Sequence, residues 1–94
     1  MKHFTPVIFR KFKDGEVIAL FPTLPGSYSY TCMSYLHIGQ HGAADVKIIY
    51  DTAPASPEEY KDLLAELVSI GYDDLKIYQR NQWWMREERY RGLS

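Results

Sequence analysis

Cys32 is the only cysteine in the chain, so no internal disulfide can brace the fold, and zinc sites built on paired thiols have too few ligands. The opening Met1-Lys2-His3-Phe4-Thr5-Pro6 lacks the apolar stretch and small-residue cleavage site of a secretory leader. No apolar run approaches the roughly 18 residues of a membrane span; the longest is the stretch from Val17 to Phe21. A cytoplasmic protein with no membrane partner is expected. The six glycines spell neither GxGxxG nor GxxxxGK, so no phosphate-cradling loop is expected. A large excess of either charge is also missing. Net charge is −1 and the isoelectric point is near 6.3, well below the basic balance of a dedicated nucleic-acid binder.

What the chain does have is a globular balance over 94 residues, 46% hydrophobic, 15% aromatic and 24% charged, enough for one core and too short for two. The charge is unevenly placed. Residues 1–44 carry four basic and two acidic groups, residues 45–74 two and eight, and residues 75–94 five and two. An acidic middle between basic ends pairs internally or presents two distinct faces.

Pro6 to Lys13 and Glu16 to Pro22 read as two strands joined at Asp14-Gly15, a dipeptide suited to a two-residue hairpin loop. That loop would set Phe12 opposite Val17, Arg10 opposite Ala19, Ile8 opposite Phe21 and Phe9 opposite Leu20. Thr23 to Ser27, with Pro22, Pro25 and Gly26 around it, reads as a loop. Tyr28 to Ile38 alternates as a strand with Cys32, Ser34 and Leu36 on one side and Met33 and Tyr35 on the other. Gly39 to Ala44 reads as a connection and Asp45 to Tyr50 as a further strand. Ser56-Pro57-Glu58-Glu59 opens a helix through a capping box, Tyr60, Leu63, Leu64, Leu67 and Val68 form its apolar stripe, and Gly71 ends it. Leu75 to Tyr78 is the last predicted strand; if Asp45 to Tyr50 shares its sheet, the two form a right-handed parallel crossover.

The expected class is therefore α+β, a four- to five-stranded sheet, mostly antiparallel or mixed, with one principal helix on one face. Residues 1–80 form a single domain, and residues 81–94 a basic and aromatic tail or short helix. In the tail, Trp83 and Trp84 either cover the sheet's second apolar face or anchor a partner, and Trp84→Ala separates the two roles by its effect on binding or on stability.

Two groups of residues could carry chemistry. Cys32, His37, Gln40, His41 and Asp45 gather thiol, imidazole, amide and carboxylate around one strand and loop, and could ligate a metal or move protons. Nothing marks Cys32 as activated, and the four-residue spacing of His37 and His41 loses its meaning outside a helix, so hydrogen-bonding roles are preferred; neither a metal nor a cofactor is expected. Arg10, Lys11, Arg80, Trp83, Trp84, Arg86 and Arg89 form the second group, a surface on which arginines meet phosphates or carboxylates while rings stack or anchor. The leading expectation is a non-enzymatic accessory domain that binds another protein. Nucleic-acid binding through the basic and aromatic surface is the alternative, and a small metal or Cys/His enzyme the third. A homodimer through an open sheet edge is compatible with the pattern.

The strings Val7-Ile8-Phe9-Arg10-Lys11-Phe12, Gly15-Glu16-Val17-Ile18-Ala19-Leu20-Phe21-Pro22 and His37-Ile38-Gly39-Gln40-His41-Gly42 resemble a family of small bacterial proteins, some associated with mobile elements. The resemblance covers about residues 6–80 and leaves out the tryptophan-containing tail. It implies a cytoplasmic bacterial protein and carries no catalytic residues with it.

Overall fold

A computed structural model describes residues 4–26, 31–36 and 40–93, with residues 40, 41, 46, 92 and 93 described through their backbone alone. The first hairpin pairs β1 (Thr5–Lys11) with β2 (Val17–Pro25). Its loop has three residues rather than two. The Gly15 N–H donates to the Phe12 carbonyl at 2.9 Å, and the Phe12 N–H donates to the Glu16 carbonyl at 2.8 Å. Gly15 sits at φ +93°, the left-handed position such a loop requires, and Asp14 accepts from the Glu16 N–H at 3.0 Å. The extra residue moves the register by one from that expected: Ile8 lies opposite Leu20, Phe9 opposite Ala19, Arg10 opposite Ile18 and Lys11 opposite Val17. One residue of slip exchanges the faces of a strand, so Phe9 shares its face with Ala19 and Phe21, and Ile8 shares its face with Leu20.

Thr23 to Pro25, expected as the first part of a loop running to Ser27, is instead strand. β2 runs on to Pro25, and its register against β3 (Thr31–Leu36) shifts between Phe21 and Pro25. Proline lacks the N–H of a ladder bond and is tolerated in strands at such irregularities. A second correction follows β3. Gln40–Asp45, read as a connection over most of its length, is strand β4, paired with β3 from Thr31↔Asp45 to Leu36↔Gln40. Val46–Asp51, read as strand as far as Tyr50, is a 3-10 turn. The Asp45 side chain accepts from the Lys47 N–H at 2.8 Å, a local cap that bends the chain out of the sheet despite the β-branched residues that follow. A two-residue strand β5 (Ala53–Pro54) then pairs with β1.

Helix α1 (Pro57–Ser69) starts as its sequence dictates. Both halves of the Ser56 and Glu59 capping box are present, with Pro57 in the first turn. It ends in a paired closure: the Gly71 N–H reaches the Val68 carbonyl at 3.2 Å and the Tyr72 N–H reaches the Leu67 carbonyl at 3.1 Å. Gly71 takes φ +120° to allow this. Strand β6 (Leu75–Tyr78) pairs parallel with β1, from Thr5↔Leu75 to Ile8↔Tyr78. The crossover thus returns beside β1 rather than beside a strand at residues 45–50. The path β4-β3-β2-β1-β5, with β6 also on β1, makes a mixed sheet dominated by antiparallel pairs.

Each sheet face has its own core. Val7, Phe9, Ala19, Phe21 and Tyr35 pack against Leu63 and Leu67 of α1. Phe9 stacks on Tyr60 at 4.4 Å and Phe21 on Tyr72 at 5.1 Å. Within the expected stripe Val68 is out of place, being exposed, while Glu66, outside that stripe, accepts from the Tyr35 hydroxyl. On the other face Ile8, Ile18, Leu20 and Cys32 pack against Met85 of a second helix, α2 (Trp83–Leu93), with Ile48 and Ile49 of the 3-10 turn alongside. The tail is thus a helix laid on the sheet.

Candidate functional site

The first group of sequence candidates does not converge on a catalytic arrangement. Cys32 is buried at 1% exposure in the α2-side core, and burial pushes its thiol up to about 11, against a smaller opposing pull from Arg89. At neutral pH it is a small apolar filler. Asp45 caps the 3-10 turn. Gln40 and His41 lie on β4 opposite Leu36 and Tyr35. Tyr35 belongs to the α1-side core and Cys32 to the α2-side core, so the register places positions 32 and 41 on opposite faces. His37 lies outside the described residues. Among the described residues, no three His, Cys, Asp or Glu side chains come together as a metal-ligand set.

The second group divides. Lys11 turns to the α1 face and pairs with Glu59. Arg10 is buried at 7% on the α2 face, where its Nε donates to Thr52 Oγ1 at 3.0 Å and a terminal nitrogen donates to the Ile49 carbonyl at 2.6 Å. Arg10 therefore holds the end of the 3-10 turn and is not a contact surface; its burial also lowers the pKa of the guanidinium. Trp84, expected as an anchor, is half-buried and meets Tyr78 edge-on at 5.8 Å. Its neighbour Trp83 is 76% exposed. The part of covering the sheet, expected of the two tryptophans, falls mainly to Met85. Arg80 is exposed beyond β6.

What remains is a recess of about 330 Å³ where the 3-10 turn meets α2, lined by Lys47, Ile49 and Tyr50 from the turn, by Asn81, and by Arg86, Arg89 and Tyr90 of α2. Helical spacing explains how α2 serves both core and recess. Met85 and Arg89, four apart, face the sheet, while Trp83, Arg86 and Tyr90 follow one another along an outer ridge. Arg86 Nε donates to the Tyr90 hydroxyl at 3.1 Å, and the guanidinium groups of Arg86 and Arg89 lie 5.3 and 5.6 Å from the Tyr90 ring centre. The Arg86 hydrogen bond is the main cause holding the Tyr90 phenol below its ordinary range. Tyr50 is 86% exposed at the mouth.

Among the described residues, three cations and no carboxylate line this recess. A broader cavity of about 690 Å³ near the first hairpin, bounded by Phe12, Lys13, Asp14, Glu16, Tyr50 and Asp51, is of mixed charge and holds no buried polar group. Sequence reasoning named Arg86 and Arg89 but missed Lys47 and Tyr50, because residues 45–50 were read as strand; the Asp45-x-Lys47 cap was the available signal. No protein-family model, curated protein or solved structure matches the chain. Among the described residues no helix is long and apolar enough to cross a membrane.

Proposed function

We propose that this chain is a non-enzymatic binding domain that holds single-stranded nucleic acid along the α2 ridge. The observation that carries the reading is the recess of Lys47, Arg86 and Arg89, with no carboxylate among its described lining residues, bordered by the exposed rings of Tyr50 and Tyr90, with exposed Trp83 one turn before Arg86 on the same helix. Cations that track phosphates, interleaved with rings on which bases stack, are what a single strand requires. The near-neutral total charge includes Glu87 and Glu88 of α2, which do not line the recess, and a larger acidic share elsewhere. Glu58, Glu59, Asp62 and Glu66 belong to α1, which packs on the opposite face of the sheet.

The test is titration of the protein with short oligothymidylates at increasing salt. Three phosphate contacts on a single strand give a log–log salt slope of about −2. Trp83→Ala and Arg86→Ala are each expected to weaken binding about tenfold without moving Tm, since both side chains are exposed. Absence of binding at low salt removes this reading. A protein partner, for which Tyr50 and Trp83 would be the aromatic anchors, then takes its place.

A further inference from the structure

Arg89 occupies a position where the fold calls for an aliphatic side chain. It lies four residues after Met85, against the sheet, at 2% exposure. One bond satisfies part of it, Nη1 to the Pro22 carbonyl at 2.8 Å, a carbonyl in the stretch where the β2–β3 register shifts. Its Nε is buried with no acceptor, and among the described residues no carboxylate comes within ion-pairing distance of it. A cation removed from water without a counter-charge is costly, and such groups are kept where function needs them. Arg89 is also part of the recess wall, with Lys47 and Arg86 beside it.

Three positive charges around one small space favour a doubly charged anion over a singly charged one. A volume of about 330 Å³ is at the lower end for ligand sites, enough for one nucleotide-sized group. An internal phosphodiester arrives with a strand continuing on both sides, whereas a chain end can lower its phosphate toward a buried guanidinium. Resting on the reading above, we propose that the recess is a subsite for the terminal phosphate monoester of a nucleic-acid strand, gripped by Arg89 with Arg86 and Lys47, its terminal nucleoside lying against Tyr50 or Tyr90.

The experiment compares, by calorimetry on the full chain, oligothymidylates carrying a 5′-phosphate, a 3′-phosphate or hydroxyls at both ends. One phosphorylated end is expected to bind about tenfold tighter than the hydroxyl strand, and to shift the Arg89 Nε–H resonance in NMR spectra. Arg89→Met, which fills the space without donors, is expected to abolish that preference while Tm stays within about 5 °C of the parent. Should that variant fail to fold, Arg89→Lys keeps the charge, loses the planar fork and is expected to retain only part of the preference. Equal affinity for phosphorylated and hydroxyl strands overturns the subsite and leaves strand binding standing. If no strand binds but thymidine monophosphate shifts the Arg89 resonance, the phosphate subsite stands and the strand-binding reading falls. If neither strands nor thymidine monophosphate bind, or if a phosphotyrosine peptide is preferred to both, the proposal is overturned.

Discussion

Lys11 and Glu59 show how much a side chain's role depends on which face its strand presents. The Lys11 ammonium reaches across from β1 to the first turn of α1, and that hydrogen bond, helped by the Ser56 N–H, holds the Glu59 carboxyl down to about 2. A carboxyl ordinarily titrates near 4.3. Glu59 is therefore ionised in folded and unfolded chains alike above about pH 5, and only the folded chain keeps it ionised at lower pH. Its stabilisation is present at neutral pH and is lost as pH falls from about 5 to about 2. Glu59→Gln is expected to flatten that part of a plot of Tm against pH, and added salt to shrink the difference, because both partners are partly exposed. At this scale the sequence was least legible. Lys11, Arg10 and Arg89 are all basic residues that read as one surface, yet one pairs with α1, one braces a turn and one is buried beneath α2. Nothing in a residue's type says which way a strand with apolar groups on both faces will turn it.

Elements were legible where a local rule decides the backbone. Ser56, Pro57 and Glu59 specify the start of α1 without tertiary help, and Gly71 marks its end. Gly71→Ala is expected to cost about 1 kcal/mol, a fall of several degrees in Tm. A Cβ there would meet nothing within 4 Å, so the cost comes from φ +120° and from the closure it allows. Where two local signals compete, the sequence misled. Asp14-Gly15 announced the hairpin but not its loop length, and so not the register. Pro22 and Pro25 suggested a loop where the strand absorbs them in an irregularity. Helix α2 was hard to read because Arg89 stands where its apolar stripe should continue.

As a whole, the molecule is a sheet between two unlike layers, an acidic helix on one side and a basic helix with its 3-10 turn on the other. Neither face can be left bare. A chain ending at residue 82 is expected to expose Ile8, Ile18, Leu20 and Cys32, to bind hydrophobic dyes, and to let a thiol reagent reach Cys32 quickly near pH 8. The full chain should react only as fast as it opens. Slow reaction in both would mean that α2 is not what shields this core. The same two-sidedness explains why fold class was readable from alternating apolar strands while the recess was not: it is assembled from residues 47–50 and 81–90, brought together only because both segments pack on the same face of the sheet.

The parallel pairing of β1 with β6 also has a meaning in time. Thr5 to Ile8 acquire β6 only when Leu75 to Tyr78 arrive, about 70 residues later. At roughly 5–20 residues per second, one edge of β1 along Thr5 to Ile8 is left open for about 4 to 14 seconds of synthesis. A chaperone or a neighbouring nascent chain would find that edge during this interval, before the finished protein covers it.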